Sequence, residues 1–259
     1  MRPIWSGSIS FGLINIPVKL LSAVQSQELD FDMLSKKDMA PIHYARIDSE
    51  TGKEVEWKDI VKGYQYAKGK YVIVTDEDFA KASPEKSKSI NIAQFVKEEE
   101  IDPVFYEKPY YIVPAKGAEK SYRLLLEALK EAKSVGIAEF MLRNREHVCA
   151  IKPYQDVLLL NQMRYQEEIK EAPEVALPEG EKISQKELEL AVKLVEQLSE
   201  HFEPTAYKDT YIQALKKLIK DKAAGKKIRI AEPKPETPVN VKDLMEVLKQ
   251  SLNQTKKIA

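Results

Sequence analysis

The 259 residues contain one cysteine, Cys149, and three histidines, His43, His147 and His201. A lone cysteine excludes an internal disulfide framework and fits a reducing compartment. The histidines are far apart and have no metal-spaced neighbours, so no metal site is expected. Glycine-rich phosphate loops, the G-x-S-x-G elbow and the H-E-x-x-H helix are all missing, so no catalytic residues are assigned and no cofactor is expected. No run of about 18 apolar residues exists, which argues against a helical membrane span. No apolar signal segment precedes Gly7, and a cytoplasmic location is expected. Excess charge is lacking as well, since 41 Lys and Arg balance 41 Asp and Glu. A neutral total ordinarily argues against a nucleic-acid binder.

What is present points elsewhere. Charge is segregated along the chain: residues 165–203 hold 11 acids against 4 bases, and residues 205–230 hold 8 bases against 2 acids. A basic surface can therefore coexist with a neutral sum. Hydrophobic residues make up 43% of the chain, enough for a core, and 32% are charged.

The first two thirds of the chain read mainly as strands. Trp5 to Ile16 alternates apolar residues with Ser8 and Ser10, and reads as one strand bent by bulges at Gly7 and Gly12. Pro17 ends or edges it, and Lys19 falls just beyond. Short runs at 71–75, 90–96, 110–113 and 157–160 are further strands. Residues 41–57 read as a hairpin turning at 48–52. Residues 135–142 and 146–152 read as another, turning at 143–145. One helix interrupts them, carried by Tyr122, Leu125, Leu126 and Leu129. Many short strands with few helices predict a mainly β fold with some α, a barrel or a sandwich.

The period then changes. Ser184 and Glu187 form a capping box. Leu188, Ala191, Val195, Leu198 and Phe202 follow as one stripe, expected to be core, and Pro204 breaks it. Asp209 caps a second helix bearing Ile212, Leu215, Leu218 and Ile219, which Gly225 stops. Pro233, Pro235 and Pro238 mark an extended linker. A last amphipathic segment carries Leu244, Val247, Leu248 and Leu252; so short a helix needs a surface to dock on. The expected division is 1–180 for the β core, 181–230 for a helical arm, and 231–259 for the linker with its terminal helix.

The order of several motifs resembles the bacterial Ku proteins, the DNA-end-binding family of non-homologous end joining. The opening W-x-G-x-I-S-F-G-L-I-x-I-P-V-K is similar to the start of that family. The stretch from Asp59 to Tyr66 resembles its D-I-V-K-G-Y-x-Y segment, and that from Ile101 to Tyr106 its I-D-P-V-Y-F type. Arg143-x-Arg145-Glu146 resembles its R-x-R-E turn. Asp209-x-Tyr211 and Leu244-Met245-Glu246 continue the series. One departure is visible: a C-x-x-C pair that some members carry is replaced here by Asp48 and Thr51, so zinc is not expected.

The resemblance implies a Ku-type β-barrel core with a bridging arm, a C-terminal helical arm and a short terminal helix. It implies a homodimeric ring that threads onto double-stranded DNA ends, with an ATP-dependent DNA ligase as partner. Such a protein is a scaffold and not an enzyme. Sequence-independent grip requires cations on phosphate rather than base-reading side chains. Positions matching the family's ring lining are Lys19, Lys68, Lys70, Lys81, Arg143, Arg145 and Arg164. Leu244, Val247, Leu248 and Leu252 become the ligase-docking face. The basic cluster 216–229 is a further surface for DNA outside the ring, or simply offsets a helix dipole. Tyr64 and Tyr66, at period 2, read as packing in a core or an interface rather than as base stackers. Two rival readings stand beside this one. The chain could be a β-barrel interaction module without DNA-end binding, or an enzyme using Cys149 with His147, two residues apart on one strand face.

Overall fold

The computed structural model describes residues 2–82, 88–143, 145–173 and 183–226. The chain divides into two compact units, residues 1–26 with 30–172 and residues 27–29 with 173–259. Leu244, Val247, Leu248 and Leu252 lie outside the described residues.

The opening stretch is a hairpin, not one bent strand. β1 (Trp5–Phe11) pairs antiparallel with β2 (Ile14–Ser22) in continuous register from Trp5 opposite Leu20 to Phe11 opposite Ile14. Only Gly12 and Leu13 remain for the turn. Gly12 adopts φ +56°, a conformation that glycine enters without steric penalty. Gly7 is no bulge either. A Cβ there would collide with the Lys88 carbonyl oxygen and the Trp5 ring, so its bareness permits a close approach. Pro17 lies inside β2, opposite Ser8. Its carbonyl accepts from Ala115 N at 2.9 Å, one residue before the β2–β6 pairing begins, so its missing N–H falls at a ladder end.

The remaining strands are β3 (Lys62–Ala67), β4 (Lys70–Val74), β5 (Ser89–Val96), β6 (Tyr106–Pro114), β7 (Val135–Leu142), β8 (Arg145–Tyr154) and β9 (Val157–Met163). Seven of the nine strands among the described residues close into a barrel in the order β1-β2-β6-β9-β8-β7-β5. Every pairing is antiparallel except the seam, where Ser8, Ile9 and Ser10 run parallel to Ser89, Ile90 and Asn91. Side chains reinforce this short seam. Ser10 Oγ lies 2.9 Å from Ser89 Oγ and donates to Asn91 Oδ1 at 2.6 Å.

Alternation fills the interior. Ile9, Ile16, Val18, Leu20, Ile90, Ile112, Phe140, Cys149, Ile151, Leu158 and Leu160 belong to one buried cluster. Helix α2 (Glu119–Ala132) adds Tyr122, Leu125, Leu126 and Leu129 to it, the face its spacing predicts. Each such aliphatic side chain contributes roughly 1.5–3 kcal/mol through burial. Tyr122 also ties the helix to two strands. Its hydroxyl donates to Ile112 O at 2.6 Å and accepts from Leu158 N at 2.7 Å. Ile112 and Leu158 are register partners on β6 and β9. Tyr122→Phe strands both backbone groups in the core, and urea titration is expected to show about 2 kcal/mol lost. An unchanged midpoint would show that water replaces the hydroxyl.

Residues 23–82 leave the barrel between β2 and β5, and none of those whose burial is described is buried. The predicted 41–57 hairpin shrinks to one bridge, Ile47 to Glu54, turned by Asp48, whose carboxylate accepts from Glu50 N and Thr51 N. β3 and β4 form a separate two-stranded ribbon with Tyr64 opposite Val72 and Gly63 opposite Ile73. Helix α1 (Asp76–Ala82) follows; Asp78 and Thr75 cap each other at its start. Tyr64 and Tyr66 are exposed and lie in no core.

In the second unit, α3 (Gln185–Leu198) starts at the Ser184–Glu187 capping box as expected. It ends before Phe202, which stacks on Tyr207 with centroids 5.7 Å apart. α4 (Thr210–Ala223) is capped by Asp209, which accepts from Ile212 N at 2.8 Å, and Gly225 at φ +71° stops it. Neither helix has a buried residue; in the stripes expected as core, Ala191, Ile212, Leu215 and Leu218 are half-buried and Leu188, Val195, Leu198 and Ile219 are exposed. Among the described residues no helix is long and apolar enough to cross a membrane.

Candidate nucleic-acid interface

The β7–β8 hairpin carries Arg143 and Arg145 at one end of the barrel. Residues 143 and 144 alone connect Leu142 to its register partner Arg145. So tight a connection twists correctly only with left-handed backbone. Arg143 accordingly sits at φ +52°, an unfavourable conformation for a residue with a Cβ.

Strand alternation brings polar groups to this barrel mouth. Arg145 and His147 continue the inward face that deeper in the barrel is Cys149 and Ile151. Gln162 likewise continues the face of Leu158 and Leu160, and is the one buried polar side chain among the described residues. With Arg143, Glu107 and Glu168 they line a pocket of about 610 Å³. Gln162 Nε2 donates to Glu107 Oε2 at 2.9 Å. Arg145 Nη2 donates to Glu168 Oε1 at 2.8 Å. Burial lowers the pKa of His147, assisted by the charge of Arg145 and opposed by Glu107 and Glu168. The Glu168 carboxyl is also lowered, by the backbone N–H of Tyr165 and then by Arg145.

The two arginines read as a pair are therefore unlike. Arg145 is tied to a carboxylate, whereas Arg143 makes no hydrogen bond or ion pair with a side chain among the described residues. Sequence reasoning missed Glu107, Gln162 and Glu168. A signal for Gln162 exists: it interrupts an apolar strand at an inward position. For Glu168 there was none, because its partner is 23 residues away.

The other cations are spread over the unit. Lys19 lies within β2, not beyond it, on the outward face beside the buried Val18 and Leu20. Lys68 and Lys70 stand at the ribbon tip, where Gly69 turns at φ +73°. Lys81 is in the last turn of α1. Arg164 follows β9, and its Nη1 donates to the carbonyls of Val104 at 2.9 Å and Tyr106 at 2.6 Å. That use is structural, and only its other donors remain for a ligand.

Cys149 is fully buried, and burial with the nearby charge of Glu139 pushes its thiol pKa up. The nucleophile is the thiolate, so this site suppresses the form that a Cys149–His147 mechanism requires. Among the described residues no group of His, Cys, Asp and Glu could hold a metal ion.

A closed barrel with a charged mouth and a long inserted arm has relatives. The family model described as the Ku70/Ku80 beta-barrel domain matches residues 10–190. A protein named non-homologous end joining protein Ku from Opitutus terrae is 42% identical over 98% of this chain and 92% of its own length. Proteins of the same name from Coxiella burnetii and Archaeoglobus fulgidus are each 40% identical, covering 99% of this chain and 96% and 100% of theirs. The chain belongs to the Ku family.

Proposed function

We propose that two copies of this chain form a ring that threads onto double-stranded DNA ends without regard to sequence and recruits an ATP-dependent DNA ligase for non-homologous end joining. Family membership and the name of its relatives support the end-joining role. The observation that carries the ring is the arm. Residues 23–82 expose Phe31, Tyr44, Trp57, Tyr64, Tyr66, Tyr71 and Ile73 and bury none of them. An isolated two-stranded ribbon is marginal in water, and apolar area of this extent marks an interaction surface. A second copy is the simplest cover, because a two-fold contact matches like with like. One barrel cannot surround a duplex; two barrels with arms can.

In this reading Lys19, Lys68, Lys70, Lys81, Arg143, Arg145 and Arg164 contact phosphates. Leu244, Val247, Leu248 and Leu252 form the ligase-docking face, in the manner of a helix laid in a groove. The place of action is the bacterial cytoplasm, at the nucleoid.

Gel-shift with linear and covalently closed circular duplex of one sequence tests the threading. The linear form is expected to bind and the circle to remain free, since a closed ring loads only over an end. Equal binding to both would exclude threading, and binding to neither would leave a barrel-based protein-interaction module.

A further inference from the structure

We propose that Glu168 stands in for phosphate, holding Arg145 until DNA displaces it, and so sets both the affinity and the salt dependence of the barrel mouth. The proposal rests on the reading of Arg145 as a phosphate contact. Arg145 Nη2 lies 2.8 Å from Glu168 Oε1, the charge-assisted geometry a phosphate oxygen would also take. Both side chains are partly open to water, 64% for Arg145 and 40% for Glu168. An exposed pair of this kind holds its partners weakly, and a phosphate can compete for the guanidinium.

The carboxylate is fixed independently of Arg145. Glu168 Oε2 accepts from Tyr165 N at 2.9 Å within a short turn that closes on itself. The charge of Arg164 favours its ionised form as well. When Arg145 leaves, Glu168 keeps its backbone bond and its freed oxygen meets water. Neither group is left buried and unpaired, so the exchange is reversible. The neighbours fit the same account. Arg143 lines the same pocket and makes no hydrogen bond or ion pair with a side chain among the described residues, so it is available to a first phosphate. Glu107 is already occupied by Gln162, and His147 has its charged form disfavoured by burial.

Exchange has a signature in salt. Each phosphate contact releases about 0.9 of a counterion from duplex DNA. A carboxylate uncovered in the same step takes up a cation and offsets part of that release. Glu168→Gln removes the uptake but keeps an acceptor for Tyr165 N. It is expected to bind a linear duplex about threefold to tenfold tighter at 100 mM salt and to steepen the log–log salt slope by about half a unit per protomer.

The test is fluorescence anisotropy with a linear duplex, from low to moderate salt, on the full chain, Glu168→Gln, Arg145→Gln and the double variant. Support is a tighter, steeper Glu168→Gln whose gain vanishes in the Arg145→Gln background. A gain that persists there would mean simple charge deletion and overturn the proposal. So would a Glu168→Gln that binds as the unmodified chain does, while leaving the end-binding reading intact. If the unmodified chain fails to bind the duplex, both fall.

Discussion

Arg143→Glu combined with Arg145→Glu is expected to weaken binding to a linear duplex about a hundredfold while the protein stays folded and the proposed dimer persists. In the proposed ring two phosphate contacts per protomer make four, and their loss lowers the salt slope by about two to four, because cation uptake at Glu168 offsets part of each Arg145 contact. Reversing the sign adds repulsion. Neither residue supports the core: Arg145 is exposed and its ion pair is a surface one. Backbone strain offers an internal control at Arg143. Its φ of +52° suits glycine, so Arg143→Gly is expected to gain about 1 kcal/mol of stability while losing affinity. Opposite signs in thermal melting and in anisotropy identify a residue kept for function at the expense of stability. Falling values in both would make Arg143 a structural residue, and undiminished duplex affinity in the double reversal would remove the hairpin tip from the interface.

Val72→Asp with Ile73→Asp is expected to turn the proposed dimer into a monomer, with association weakened about a thousandfold. The two positions lie on opposite faces of the β3–β4 ribbon, so whichever face the second copy covers receives a carboxylate. An unpaired charge buried at the centre of an interface removes several kcal/mol of association energy. Within one copy both residues are exposed, so the barrel is expected to melt where it did before. Sedimentation or light scattering reads the outcome, and loss of stable duplex binding is expected with it because half of the proposed ring encloses nothing. A dimer that survives at micromolar concentration would show that the ribbon is not the contact.

The barrel was legible because burial leaves a period. The runs at 90–96, 110–113 and 157–160 each lie in a barrel strand, and Tyr122, Leu125, Leu126 and Leu129 mark α2, since one buried face dictates spacing 2 or 3.6; the run at 71–75 is β4 as far as Val74, in the ribbon outside the barrel. Connectivity was not legible in the same way. The Gly12–Leu13 turn separates two apolar stretches without any polar residue, so the β1–β2 hairpin looked like one strand. The stripes on α3 and α4 have the spacing of core helices but no buried residue, because periodicity reports an apolar face and not what covers it. The site was half visible. Arg143 and Arg145 stand out at a hairpin tip, whereas the link from Arg145 to Glu168 and from Gln162 to Glu107 spans 23 and 55 residues, and only the closed barrel brings them together. Motif order, by contrast, placed the chain in its family before any packing was known.

The parallel seam between β1 and β5 also sets an order of events on the ribosome. Ile9 emerges early, but its partner Ile90 follows only after the whole arm has been made. The ladder from β6 to β9 waits still longer, until Leu158 appears opposite Ile112. Pairings this far apart along the chain are slow to form. The first hairpin and the arm must therefore spend most of translation unfinished, with their apolar residues open to chaperones or to a neighbouring nascent copy.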